Sequence, residues 1–281
     1  MKKILSLILA LTLVIAFAAG CSTKAPAAAS APAPTEPKPE QKQVVLKIGA
    51  TPIPHAEILN FVKPLLEKEN ITLDIVEFQD YVQPNTALAD KELDANFFQH
   101  KPYLDNFIKE RSLELVSAGS VHVEPLGLYS KTLKNISELK EGGTIAIPND
   151  ATNAARALLL LQSNGIIKLK DGVGIEATEK DIAENPQKLK IQPAEAAQLP
   201  RILEDVDAAV INTNYALPAG LNPVKDALLI EGKDSPYANI VVVRKGDENR
   251  EEIKKLVKVL NSEEVRKFIE ENYEWAIVSA F

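Results

Sequence analysis

Between Leu93 and Asp105 the chain reads LDANFFQHKPYLD, which sets Phe97, Phe98, His100 and Tyr103 within seven residues. The chain is only 5% aromatic and holds three histidines in all, so the concentration is a chemical signal. A core, a metal site, a catalytic base or a wall around a small apolar ligand would each use such residues. Successive side chains of a strand point to opposite faces, so Phe98 and His100 share a face that Phe97 does not. One phenylalanine is then expected in a core and the other in a cleft. Tyr81, in the loop of FQDYVQPN, can extend the same wall. Tyr103, at a helix start, reads as structural.

Polar chemistry gathers elsewhere. In IPNDATNAAR, Asn149, Asp150 and Thr152 are suited to capping a helix whose N-terminus carries free N–H groups and partial positive charge. Asn153 and Arg156 lie three apart and share a helical face. A guanidinium there can hold a carboxylate through two parallel hydrogen bonds, or can simply be solvated on a capped helix. AVINTNYA runs from a buried strand into Asn212, Asn214 and Tyr215, and DSPYANIVVV places Tyr237 and Asn239 before another strand. Asparagine both donates and accepts, which suits an ammonium or an amide, and it is also an ordinary turn residue.

Other chemistries find less support. His55, His100 and His122 show no tight ligand spacing and no Cys/His tract accompanies them, so no metal and no cofactor is expected. His122, beside Glu124 in VHVEPLG, reads as a hydrogen-bonded structural residue where the chain crosses between lobes. The chain has no G-x-S-x-G elbow, phosphate loop or H-E-x-x-H, so it is not expected to be an enzyme. A net charge of −7 with no basic stripe excludes nucleic acid as an expected partner.

These residues need elements to position them. From about residue 44 the chain alternates strand and helix patterns, which argues for an α/β class with mainly parallel sheets. LKIGATPIPHAEILN and TIAIPNDATNAARALLLL both run strand, turn, helix. ADKELDANFFQH and LEDVDAAVINTN both run helix, Asp-Ala, strand. The echo suggests two similarly built lobes. Ligands of open α/β sheets sit beyond the carboxyl ends of strands. That rule selects the loops near Thr51, Phe98, Asn149 and Asn212, which would line one cleft if the lobes face each other.

The N-terminal segment carries an address. Lys2 and Lys3, an apolar run and AAGC form a signal peptide over residues 1–20. Cys21 is the only cysteine, so no disulfide forms within the chain, and its setting resembles a bacterial lipobox with Ala18 where leucine is preferred. Residues 21–43, rich in Ala and Pro, read as a lipidated cysteine and a disordered tether. Lipid chains contribute about 0.8 kcal/mol per buried methylene, so more than one, palmitate included, holds a protein on a membrane.

IGATPIPHAEIL, DYVQPN, DANFFQHKPYLD, VHVEPLGLYS, IPNDATNAARALLLLQ, INTNYA and SPYAN occur in this order from about residue 48 to 243. Together they closely resemble the methionine-binding lipoproteins of the MetQ/NlpA type, substrate-binding proteins of ABC importers. The resemblance implies a two-lobe, periplasmic-binding-protein-like (type II) α/β fold with the ligand between lobes: 44–123 with 241–281, and 124–240. It implies an aromatic cage of Tyr81, Phe98 and His100, carboxylate recognition by Arg156 with Asn153, and head-group contacts from Asn212 and Asn239, with Asn214 and Tyr237 nearby. Ala151 and Ala154 stand where many relatives carry Pro and Gly. The implied partners are L-methionine or a close analogue, a permease with its ATPase, and the membrane through lipid on Cys21. The implied location is the extracytoplasmic face of a bacterial cell membrane. Another amino acid or a short methionine-containing peptide is the alternative ligand; a metal-binding lipoprotein, an enzyme or an adhesion protein are alternatives of other classes. On this reading Tyr81→Ala or Phe98→Ala weakens binding far more than stability, and Arg156→Ala abolishes binding in a folded protein.

Overall fold

The computed structural model describes residues 43–232 and 235–281. The signal peptide, Cys21 and all of the tether but Gln43 lie outside the described residues. Among the described residues no helix is long and apolar enough to cross a membrane.

The chain opens with β1 (Val44–Ala50), where Leu46 and Ile48 enter the core while Val45 and Lys47 face out. A helical turn at Pro52–Ala56 leads into α1 (Glu57–Glu67), which buries Ile58, Leu59, Val62 and Leu66 on one face. Then come β2 (Ile71–Glu77), α2 (Gln83–Ala89), β3 (Ala95–His100) and α3 (Lys101–Arg111). The long strand β4 (Leu115–Val123) is next, and Glu124–Leu126 carries the chain to β5 (Gly127–Tyr129) in a second sheet. There β6 (Thr144–Pro148), α4 (Ala151–Ser163), the small hairpin β7 (Lys168–Leu169) with β8 (Ile182–Glu184), and β9 (Lys190–Ala194) are laid down. After them stand α5 (Leu199–Ile202), β10 (Ala208–Ile211), α6 (Thr213–Ala216) and β11 (Leu229–Ile230). The chain returns in β12 (Ala238–Arg244) and closes with α7 (Glu251–Leu260), α8 (Glu263–Tyr273) and β13 (Val278–Ser279).

The strands form two main sheets, ordered β13-β4-β12-β3-β1-β2 and β11-β5-β10-β6-β9. These are the cores of a two-lobe α/β fold of the substrate-binding type. The first sheet packs on α1, α7 and α8 through Leu66, Leu256, Leu260, Val265 and Ile269; the second encloses Ile145, Leu158, Leu161 and Val210.

The sheets are mixed rather than mainly parallel. β1 pairs in parallel with β2 and β3, and β6 with β9 and β10, as helical crossovers require. β12 runs antiparallel to both β3 and β4, and β5 antiparallel to β10 and β11. The antiparallel strands are those on which the chain leaves and re-enters a sheet, a reversal that hydrophobic periodicity does not encode. The returning strand starts at Ala238, so Asn239 belongs to the first sheet, paired with His100 and His122. At Gly119 in β4 a Cβ would lie 2.5 Å from a methyl carbon of Val257, which explains a glycine in mid-strand there.

Candidate ligand-binding site

One narrow cavity, with about 20 Å³ open to the centre of a water-sized sphere, is lined from both lobes by Tyr81, Phe98, His100, Asn153, Arg156, Asn212 and Asn239. All seven residues singled out from the sequence therefore meet at one place. Gln99, Tyr103, Glu124, Thr213 and Asn214 complete the wall.

The aromatic side is built by β3, the start of α3 and the loop that holds Tyr81. β3 persists to His100, and Phe97 goes wholly into the core beside His55, with ring centroids 4.7 Å apart. Phe98 turns the other way, into a cluster with Tyr81, Tyr103 and Phe107. The Tyr81 ring lies 6.0 Å from Phe98 and 5.8 Å from Tyr103. Tyr103, expected to be only structural, does both jobs: its hydroxyl donates to the Tyr81 carbonyl at 2.9 Å and its side chain lines the cavity. Phe98 is only 3% exposed, so it is also packed as a core residue. A strand residue beside a cleft packs on neighbours within its own lobe as well.

Hydrogen bonds set the protonation of His100. Its Nδ1 caps α3 by accepting from the Tyr103 amide at 3.1 Å, so Nε2 carries the proton and donates to Asn153 Oδ1 at 3.1 Å. Burial, with the nearby Arg156 charge, pulls the His100 pKa down to about 3, so the ring is neutral. Asn153 Oδ1 also accepts from Asn212 Nδ2 at 2.9 Å, while its Nδ2 donates to Asp150, the N-cap of α4. Asn153 thus has both ends engaged and orients its neighbours.

Two amide groups are left open. Asn212 Oδ1 and Asn214 Nδ2 are buried without a hydrogen-bond partner. Tyr81 donates to Asn214 Oδ1 at 2.5 Å, which leaves the Asn214 amino group pointing elsewhere. Buried polar atoms are almost always paired, so an orphan acceptor and an orphan donor on one cavity mark a place for a polar ligand.

Arg156 is 4% exposed on α4. Its Nε donates to Glu231 at 2.9 Å, its Nη2 to the other Glu231 oxygen and to the Glu124 carbonyl at 2.7 Å, and its guanidinium stacks 4.3 Å from the Tyr237 ring centroid. The guanidinium is thereby held side-on. Glu231 gave no sequence signal, because it stands alone in a loop 75 residues away.

The histidines missed as a group lie below the cavity floor. His55 Nδ1 meets the Thr51 hydroxyl at 2.8 Å, and Nε2 faces Asn239 Oδ1 at 3.1 Å and Glu124 Oε1 at 3.2 Å. His122 Nε2 reaches the same Glu124 oxygen at 2.8 Å. Donor atoms of these three residues lie within 4.8 Å of one another, although the sequence showed no ligand-like spacing. Burial lowers His55 to about 4 and His122 to about 3, so both are neutral; His122 Nε2 donates to the carboxylate and His55 Nε2 to Asn239 Oδ1. Burial raises the Glu124 pKa, opposed by His55, Arg156 and the Asn214 amide.

Mixed sheets joined by crossing segments, with a cavity walled from both sides, define a protein that encloses a small ligand between lobes. The chain belongs to the NlpA lipoprotein family, whose model matches residues 46–281. It is 52% identical over 201 residues, 71% of this chain and 74% of the relative, to the D-methionine-binding lipoprotein MetQ of Salmonella typhimurium. It is 46% identical over 237 residues to outer membrane lipoprotein 3 of Mannheimia haemolytica, covering 84% of this chain and 90% of that one. A nutrient binding protein from Burkholderia cenocepacia, solved bound to methionine, superposes with a TM-score of 0.82 at 50% identity, covering 84% of this chain and all of its own.

Proposed function

We propose that the protein captures free methionine between its lobes and delivers it to an ABC-type permease and its ATPase, held on the extracytoplasmic face of a bacterial membrane by lipid on Cys21. The observation that carries this reading is the joining, in one cavity, of a guanidinium, an orphan amide acceptor, an orphan amide donor and an aromatic wall. A zwitterionic amino acid needs all of them. Arg156 and Asn214 Nδ2 receive the carboxylate; Asn212 Oδ1 accepts from the ammonium. Tyr81, Phe98, His100 and Tyr103 enclose the thioether, where sulfur–aromatic contact contributes roughly 0.3–1.5 kcal/mol beyond burial. Asn239 acts as a donor, because its Oδ1 already faces the protonated Nε2 of His55. Ligand bridging both lobes binds their closed arrangement better, and that difference in affinity is what drives closure. The lobes on this reading are residues 44–123 with 241–281, and residues 124–240.

The test is calorimetry and melting of ligand-stripped protein with a panel of amino acids, both stereoisomers of methionine, a methionine dipeptide and zinc. Methionine at about a thousand times its Kd adds roughly 4 kcal/mol of stability. A shift with another panel member and none with methionine refutes the assignment.

A further inference from the structure

We propose that the segment from Thr213 to Asp226 is a clasp that fastens the two lobes over the ligand, with Tyr215 as its main fastening. This rests on the reading above that ligand drives closure, and it adds residues that lie outside the cavity. The segment follows β10 of the second sheet and is tied down at its base by the Thr213 hydroxyl, which donates to the Pro125 carbonyl at 2.5 Å. From there it reaches across to the first lobe. Tyr81 donates to Asn214 Oδ1 at 2.5 Å. Tyr215 donates in the opposite direction, to the Gln79 carbonyl at 3.1 Å, and its ring lies 5.0 Å from that of Tyr81. Leu217 packs against the core of the first sheet. At the far end Lys225 forms an ion pair with Glu274, at the end of α8.

Tyr215, Leu217 and Lys225 do not line the cavity, so they are indifferent to what it holds. Their partners stand on the other lobe, so each contact breaks when the lobes part. A contact made only in the closed arrangement shifts the equilibrium toward closure and tightens every enclosed ligand by the same factor. Ligand enters the open form before the clasp fastens, so the clasp leaves entry unchanged and slows escape. The fastenings are unequal. Lys225 and Glu274 are both more than half exposed, where an ion pair contributes little. Asn214 lines the cavity itself, so its share in closure is mixed with its share in binding. Tyr215 is half-buried, joins a hydrogen bond to a ring contact and stands clear of the ligand. It is a positioning residue whose hydroxyl acts on closure alone.

The experiment compares full-length wild type and Tyr215→Phe, in detergent and stripped of carried-over ligand, by stopped-flow binding of methionine and by melting with and without it. The variant keeps the ring and removes only the hydrogen bond. Its dissociation rate is expected to rise about threefold to tenfold, the range of one neutral hydrogen bond, with the association rate within about twofold of wild type. The Tm of the liganded protein falls and that of the stripped protein does not, because the bond exists only in the closed form. An unchanged dissociation rate, a loss confined to the association rate, or an equal fall in both Tm values overturns the proposal; the last is what a purely structural tyrosine gives. Failure of the wild type to bind methionine would sink the parent reading instead, so the two failures are distinguishable. If Tyr215→Phe does not fold, Glu274→Lys serves: facing Lys225 with a like charge, it must speed dissociation, and added salt must reverse the effect by screening the exposed pair.

Discussion

Replacing Arg156 with lysine keeps the charge and removes the fork. In the wild type the guanidinium commits Nε and Nη2 to Glu231 and the Glu124 carbonyl. Among the described residues none of its hydrogen bonds falls on Nη1, which leaves that edge to a ligand carboxylate. One Nζ cannot serve Glu231, the carbonyl and a ligand from a single point. Losing two charge-assisted hydrogen bonds at about 1.5 kcal/mol each comes to about 3 kcal/mol, or roughly 150-fold in Kd. The fold loses less. An unpartnered Glu124 carbonyl costs about 1–3 kcal/mol, and a protein of this size loses about 2–4 °C of Tm per kcal/mol. Calorimetry with methionine and a melting curve without it separate the two effects. Affinity within fivefold of wild type would refute the carboxylate assignment. A Tm drop beyond about 15 °C would show that Arg156 mainly stabilises the fold.

Phe98→Ala should lower stability by about 3–5 kcal/mol as well as weaken binding, because its ring is buried against Tyr103 and Phe107; chemical denaturation unchanged within about 1 kcal/mol would refute that dual role. Stability should fall on acidification. The depressed histidines, His55 at about 4 and His100 and His122 at about 3, contribute stability that is complete above their unfolded pKa near 6.5 and is lost as pH falls toward those values. At pH 5 each loses about 2 kcal/mol. Glu124 acts in the opposite sense: its raised pKa adds stability below the unfolded carboxyl value, so it offsets part of the loss only at the acid end. A Tm that stays flat from pH 7 to 5 would contradict buried neutral histidines.

Local pattern carried much of this molecule. The strand of Ala95–His100, the capped helix of Ala151–Ser163 and the strand of Ala208–Ile211 are legible because alternation, capping residues and apolar periodicity are short-range signals. The same locality made the cavity residues readable, since each stands at a strand end or helix start, where ligands of α/β folds gather. The resemblance added which of the two phenylalanines faces the ligand; strand parity alone paired Phe98 with His100. What lay beyond reach of the sequence was everything that depends on pairing across long separations. Glu231 meets Arg156 over 75 residues, and His55 meets Asn239 over 184. The antiparallel return of β12, the His55–His122–Glu124 cluster and the direction in which each amide points exist only once two sheets are joined through their crossing strands. By itself the sequence determined which chemical groups were present and which elements carry them. The tertiary structure decided which groups are already satisfied by one another and which are left for a ligand, because desolvation and hydrogen-bond saturation are properties of assembled neighbours.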